Sequence, residues 1–231
     1  RSAAAPGVGE LEVDGESALR TVLLSCQEPP GRRLKVLMPR DADVAFLRRR
    51  LGPDLPPAAR VLVGRGAELG AGGPAEGQDF EVLGEGDVVP EEVVVSELNG
   101  TTSIYCALSR QQGIAAANML KAFLEKPAIQ RRLDAFELNC TGSESRRFVQ
   151  YRSQLSQLLV SEALPDFFKR IGLPGGVMGF KLLTDGVDES CGDPEGLRAW
   201  IEVQTLQRNL ILAERLRGSL RWLVELEGRY Q

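Results

Sequence analysis

A long helical pattern between Ile114 and Leu173 is the feature that most constrains how this chain can fold. Apolar residues recur there at steps of three and four, the spacing that lines one face of a helix. They are Met119, Leu120, Phe123, Leu124, Leu155, Leu158, Leu159, Leu164 and Phe167. Pro127 and Pro165 divide the stretch, because proline fits the first turn of a helix better than its interior. The pattern predicts three or more short helices packed together, the last one closing at Gly172.

The residues before the bundle have the pattern of strands. Leu19–Cys26 is apolar and β-branched, Arg33–Met38 alternates, and Pro29-Pro30-Gly31 between them is typical of a turn, so a β-hairpin is expected. Asp41–Gly52 predicts a helix with an aspartate cap at its start and a glycine at its end. Two further strands are expected at Arg60–Val63 and Glu92–Leu98.

The order of these elements resembles the ubiquitin-like β-grasp. The most specific stretch is Leu55-Pro56-Pro57-Ala58-Ala59-Arg60-Val61-Leu62-Val63, which is similar to the Ile-Pro-Pro and Arg-Leu-Ile-Phe segments of ubiquitin. The resemblance implies that Leu62 stands at the centre of a ubiquitin-like binding patch. It also implies an integral ubiquitin-like or UBX-like domain, because the chain continues past the sheet without a Gly-Gly terminus. A β-grasp with no partner-binding role is the alternative, since apolar residues on an exposed sheet are common.

The helical half resembles the PUB domain, a small module of peptide:N-glycanase and of UBX-type cofactors. The resemblance is carried by Glu125-Lys126-Pro127, Arg131-Arg132-Leu133, Asn139, Arg147-Phe148 and Phe168-Lys169-Arg170-Ile171-Gly172-Leu173. The family has a Lys-Tyr pair where this chain has Arg131-Arg132, so the pocket tyrosine is missing or displaced. The resemblance further implies a late strand at Phe180–Leu183 and a long C-terminal helix that opens at Asp193-Pro194.

The PUB resemblance also implies a peptide-binding site. Its residues would be Arg131, Arg132, Phe136, Asn139, Gly172 and Leu173. Arg132 takes the place of the tyrosine, where its guanidinium can hold a carboxylate through two hydrogen bonds. The implied partner is the C-terminal peptide of a valosin-containing-type AAA ATPase, and the arginine favours acidic or C-terminal carboxylate peptides.

The composition excludes several kinds of chemistry. The chain has no histidine, so Ser-His-Asp, Cys-His and histidine-metal sites cannot form within it. Its four cysteines include no Cys-x-x-Cys pair, which disfavours a zinc or disulfide framework. The glycine-rich segment at Gly64–Gly77 lacks the Gly-Lys-Ser/Thr of a P-loop. We therefore expect no enzyme activity, no cofactor and no metal.

Charge and hydropathy restrict the partners. The net charge is −4, and the basic clusters, such as Arg146-Arg147, lack interleaved aromatic residues, so nucleic acid is not expected. No apolar run reaches the length of a membrane helix, and the first residues lack the apolar core of a signal peptide. A protein partner and a cytoplasmic or nuclear location are therefore expected.

The predicted fold class is α+β, with a flexible lead at 1–17, a ubiquitin-like β-grasp domain at 18–98 and a mainly α-helical PUB-like domain at 99–231. The long C-terminal helix carries a stripe near a heptad seam, formed by Leu206, Leu210, Ala213, Leu216, Leu220 and Leu223. The stripe either packs on the bundle or pairs two chains, so a monomer or a weak dimer through this helix is expected.

The function expected from these patterns is a non-catalytic adaptor of the ubiquitin-proteasome system. Because the chain does not begin with Met, we expect it to belong to a longer protein. The alternatives are the non-catalytic front of an enzyme, such as a glycanase or ubiquitin protease, and a scaffold whose two halves only pack.

Overall fold

The computed structural model describes residues 18–28, 32–64, 80–99 and 104–229, which form a mixed α and β structure. The strands are β1 (Leu19–Glu28), β2 (Arg33–Pro39), β3 (Val61–Gly64), β4 (Phe80–Val82), β5 (Glu92–Glu97) and β6 (Ile104–Cys106). The helices are α1 (Val44–Leu51), α2 (Arg110–Leu124), α3 (Pro127–Asn139), α4 (Glu144–Leu158), α5 (Pro165–Ile171), α6 (Gly176–Ser190), α7 (Pro194–Leu206) and α8 (Leu210–Arg229). The expected lead, the turn at 29–31 and most of the glycine-rich loop lie outside the described residues.

The strands form one mixed sheet in the order β4-β3-β5-β1-β2-β6. β1 is antiparallel to β2 and parallel to β5, while β3 is antiparallel to both β5 and β4. β6 pairs parallel to β2, so the sheet continues past the strand that was expected to be its last. β4 was not expected either, because three residues are too few to show an alternating pattern.

One face of the sheet packs against α1. Asp43 caps this helix by accepting a hydrogen bond from the backbone N–H of Phe46 at 2.6 Å, as expected from the sequence. The buried cluster between sheet and helix includes Val22, Leu24, Leu34, Val36, Met38, Val44, Leu47, Leu51, Val61, Val93 and Val95. The hairpin and the capped helix are therefore confirmed.

The helices after β6 surround a second buried cluster, to which the apolar residues of the predicted helical pattern belong. Ser109 and Gln112 form a capping box at the start of α2, and Pro127 occupies the first turn of α3. Pro165 opens α5, and Gly172 ends it in the left-handed conformation, with φ of 80°. The boundaries at Pro127, Pro165 and Gly172 confirm the prediction, whereas the capping box at Ser109 was not predicted.

Two predictions about the C-terminal third are wrong. Phe180–Leu183, expected to be a strand, lies inside α6, where Phe180, Leu182 and Leu183 are buried. The expected single C-terminal helix is divided into α7 and α8, and Arg208 between them has φ of 59°. The chain bends there so that α8 can pack against α7.

The sheet and the bundle are in direct contact. Leu19 and Leu37 from the sheet belong to the buried cluster of the bundle. The Arg50 guanidinium at the end of α1 donates hydrogen bonds to the carbonyl oxygens of Leu108 and Glu189, each at 2.7 Å. Every helix in the described part of the chain is too short or too polar to cross a membrane.

Candidate functional site

A pocket of about 230 Å³ lies where the end of α3, the first half of α4 and the α7–α8 turn meet. It is lined by Glu137, Cys140, Glu144, Arg147, Phe148, Tyr151 and Arg208. The lining combines two aromatic rings with two arginines and two carboxylates. Such a mixture can hold a small group that has both an apolar body and a polar end.

The turn between α3 and α4 forms one wall of the pocket. Gly142 has φ of 98°, which glycine adopts readily, and Ser143 then caps α4 by accepting a hydrogen bond from the Arg146 N–H at 3.4 Å. The Gln150 side chain accepts a hydrogen bond from the Thr141 N–H at 2.9 Å. These local bonds fix the turn and place Arg147, Phe148 and Tyr151 along one side of α4.

Arg208 closes the pocket from the opposite side. Its backbone is in the left-handed region, which costs a residue other than glycine on the order of 1 kcal/mol or more. Its guanidinium pairs with Glu137 at 2.5 Å and with Asp134, both on α3. These two ion pairs hold the α7–α8 turn against α3 and offset the cost of the backbone conformation.

The Tyr151 hydroxyl is the unusual group of the site. The residue is 8% exposed, and among the described residues its buried oxygen has no hydrogen-bond partner. Burial raises the pKa of Tyr151 to about 12, so the phenol is neutral near neutral pH and can donate a hydrogen bond. A buried hydroxyl without a partner costs about 1 to 3 kcal/mol, which an acceptor atom in the pocket would recover.

The residues next in sequence to Tyr151 and Arg208 are also incompletely paired. Arg152 donates to the Gln207 side-chain oxygen at 3.1 Å, and the Gln207 amide nitrogen is buried without a partner among the described residues. Burial lowers the pKa of Arg152, which has no carboxylate ion pair in the described part of the chain. The region behind the pocket therefore contains a cation that no acidic side chain neutralises there.

The mouth of the pocket carries Arg147 and Phe148. Arg147 is exposed and, within the described residues, has no ion pair, whereas Glu137 is already held by Arg208. Phe148 is about half exposed, which is uncommon for so large an apolar ring. An incoming group could therefore contact the Phe148 ring and the Arg147 guanidinium together. No group of three or more metal-ligating side chains occurs among the described residues.

The α3 residues that the sequence predicted as a peptide site lie outside this lining. Arg131, Arg132 and Asn139 are exposed, while Phe136 is half-buried against the bundle. Arg132 contacts both carboxylate oxygens of Glu162 at 2.8 Å. One nitrogen of its guanidinium, Nη1, expected to be free for a peptide carboxylate, is therefore already paired.

The other two predicted residues lie at the end of α5. A Cβ atom on Gly172 would lie 3.2 Å from the carbonyl oxygen of Leu19, so this turn lies against the start of β1. Leu173 is buried in the bundle. Neither residue lines the pocket.

Leu62, expected at the centre of an accessible patch, is buried. It is 4% exposed and lies on an inner strand, where it pairs with Val82 of β4 and Val94 of β5. Strand pairing satisfies its backbone, and the side chain itself is withdrawn from solvent, so the expectation of an exposed patch at Leu62 is wrong.

Sequence reasoning missed Tyr151 and Arg208 as site residues. Arg147-Phe148 had been noted, and Tyr151 follows one helical turn after Arg147 on the same helix. Arg208 comes from a distant part of the chain, and no local pattern links it to α4. Comparisons of the chain with protein-family models, with curated proteins and with solved structures found no match.

Proposed function

We propose that this chain is a non-catalytic protein-interaction module that binds a short peptide tail in the pocket between α3, α4 and the α7–α8 turn. The observation that carries the proposal is Tyr151, which lines the pocket and whose buried hydroxyl has no partner among the described residues. A donor held in this way favours a ligand that brings an oxygen acceptor. Arg147 at the mouth, which has no ion pair in the described part of the chain, favours an acceptor that is charged.

The size of the pocket supports a peptide in preference to a cofactor. Its volume of about 230 Å³ is below the 300 to 1,000 Å³ typical of drug-sized sites, so it suits one or two residues. The half-exposed Phe148 can cover the apolar part of a terminal residue while Tyr151 and Arg147 bind its carboxylate. A C-terminal carboxylate is therefore the ligand group that we assign to this pocket.

The sheet supports a ubiquitin-like assignment for the first half of the chain. A hairpin is followed by a helix, β5 returns parallel to β1, and β3 lies on the other side of β5, which is the arrangement expected of a β-grasp. The PUB-like assignment is supported by the sequence between Glu125 and Leu173 and by the helix boundaries at Pro127 and Pro165. It receives no support from Phe180–Leu183, which is helical.

The partner that follows from these two assignments is the C-terminal peptide of a valosin-containing-type AAA ATPase. The chain would then act as an adaptor of the ubiquitin-proteasome system in the cytoplasm or nucleus. The pocket chemistry requires only a free carboxylate beside an apolar residue. Binding of the ATPase tail is therefore the more specific part of the proposal.

The experiment is a calorimetric titration of the chain with the ATPase tail peptide and with the same peptide amidated at its C-terminus. We expect amidation, Tyr151→Phe and Arg147→Gln each to weaken binding by about ten- to a hundredfold, the loss of one hydrogen bond to a carboxylate. Arg146→Gln is the matched control, because Arg146 is the preceding exposed arginine and does not line the pocket. The Arg146→Gln variant should bind the peptide with the same affinity as the unchanged chain.

The same titration compares the pocket with the site predicted from the sequence. Because Arg132 is paired with Glu162 on the surface, Arg132→Ala should leave the affinity nearly unchanged. If Arg132→Ala and Asn139→Ala weaken binding while Tyr151→Phe does not, the peptide binds at the sequence-predicted site. Absence of binding by both peptides at low salt would contradict the proposal itself.

A further inference from the structure

Helix α8 exposes Ile211 and Trp222 on a face that is different from its predicted heptad seam. The seam packs inward, with Ala213 and Leu216 buried and Leu220 and Leu223 against the bundle cluster. Trp222 is instead 61% exposed. A tryptophan this exposed is unusual on a free surface and common at the centre of protein interfaces.

The residues on the exposed face of α8 that contains Trp222 follow a regular helical spacing. Steps of four and three residues along one side of the helix give Ile211, Arg215, Gly218, Trp222, Glu225 and Arg229. Ile211 is 83% exposed. Nothing lies within 4 Å of the position that a Cβ atom of Gly218 would take, so the helix has an open notch one turn before Trp222.

A groove of about 520 Å³ runs beside this face, between α8 and the connection from α6 to α7. Trp222 forms part of its wall, together with Cys191, Leu197, Leu216 and Leu223. The apolar wall gives a second aromatic ring a surface to cover. The notch at Gly218, the ring of Trp222 and the groove therefore lie side by side on one surface.

We propose that this face of α8 is the interface for a second copy of the chain, with the two helices antiparallel and crossing at the height of Leu220 along the helix. Gly218 and Trp222 lie equally far from Leu220 on its two sides, so each tryptophan would cover the glycine notch of the other copy. Small residues allow two helices to approach closely, and a large ring fills the space beside them. The face is thus complementary to itself in shape, which a twofold interface requires.

The charged residues of this face also favour an antiparallel pair of helices. Arg215 and Glu225 are also equally far from Leu220, so the antiparallel pair would bring Arg215 of each copy opposite Glu225 of the other. Arg215 is 70% exposed and lies 3.9 Å from its nearest carboxylate, Asp188. Glu225 has no ion pair within the described residues. A parallel pair would instead place each of these charges opposite its own kind, which disfavours that orientation.

The experiment measures the mass of the whole chain in solution by light scattering and by sedimentation over a range of micromolar concentrations. We expect a concentration-dependent dimer. Trp222→Ser should weaken the dimer by tenfold or more, in keeping with the loss of a central tryptophan. Because Trp222 is mostly exposed, this variant should unfold at the same temperature as a monomeric sample of the unchanged chain.

A charge exchange tests the orientation without removing the ring. Arg215→Glu should weaken the dimer, because Glu would then face Glu225, and the double variant R215E/E225R should restore it. Arg198→Glu is the control for charge reversal, because Arg198 is an exposed arginine of α7. It should leave the dimer unchanged.

Three results would overturn this inference: a monomer at all concentrations, a dimer insensitive to Trp222→Ser, or a double variant that stays as weak as Arg215→Glu. A monomer whose Trp222 becomes protected only when a different protein is added would mean that the face serves that partner. The inference does not rest on the peptide pocket, so Trp222→Ser should bind peptide as the unchanged chain does.

Discussion

The contact made by Arg50 gives the most direct test of how the sheet is joined to the bundle. We consider Arg50→Ala. The guanidinium extends from the end of α1 and donates to the carbonyl oxygens of Leu108 and Glu189, both at 2.7 Å. It also lies 5.3 Å from the centre of the Phe46 ring. One side chain thus connects the sheet-side helix, the segment after β6 and the end of α6.

The loss of stability expected for Arg50→Ala follows from these contacts. A hydrogen bond from a charged donor contributes about 1.5 to 3 kcal/mol when well shielded, and a cation over an exposed ring about 0.5 to 1 kcal/mol. Arg50 is half-buried, so water can replace part of both hydrogen bonds in the alanine variant. We therefore expect Arg50→Ala to lower the free energy of unfolding by about 2 to 4 kcal/mol. Arg50→Lys, which lacks the planar fork, should lose an intermediate amount.

The assay is urea unfolding followed by far-ultraviolet circular dichroism, which reports both halves of the chain. Arg49→Ala is the matched control, because Arg49 is the exposed preceding residue and differs from Arg50 in these contacts. Hydrogen exchange should also show faster exchange near Leu108 and the end of α6 in Arg50→Ala. Equal stability of Arg50→Ala and Arg49→Ala would refute the view that this residue joins the two halves.

Two further predictions concern ionisation and a close backbone contact. Burial raises the pKa of the Cys106 thiol and of the Tyr151 phenol to about 12, from ordinary values of 9.0 and 10.0. Since the folded state holds both protons more tightly, the contribution of these two groups to stability should be constant below about pH 9 and fall as the pH rises toward 12, and Tyr151→Phe should make the fall shallower. A Cβ atom on Gly179 would lie 1.7 Å from the backbone oxygen of Pro174. Gly179→Ala should therefore lose about 2 to 4 kcal/mol in thermal unfolding, whereas Gly175→Ala, with open space around it, should lose a few tenths at most.

Several boundaries of the fold could be predicted from the sequence because their causes are local. Asp43 caps α1, Pro127 and Pro165 open helices, and Gly172 closes one, each through its own backbone or side-chain geometry. The apolar positions of the long helical stretch are buried for the same reason, since a helix with one apolar face must cover it. No knowledge of the neighbouring elements is needed for such features.

Other elements depended on their neighbours. Phe180–Leu183 is apolar enough for a buried strand or a buried helix, and the packing of α6 on both sides decided for the helix. The three residues of β6 form a strand because the edge of β2 is available to pair with them. The break before α8 lies at Arg208, an ordinary helix former, and its left-handed backbone is held by carboxylates of α3.

The sequence by itself thus determined several starts and ends of helices and strands, and it shows that no histidine is present to act as a base or ligand. The tertiary structure alone decided which side chains are free to bind. It paired Arg132 with Glu162, buried the Leu62 side chain, and left Tyr151 without a partner among the described residues. The physical reason is that a side chain's availability depends on the groups opposite it, and these come from segments whose approach no local pattern encodes.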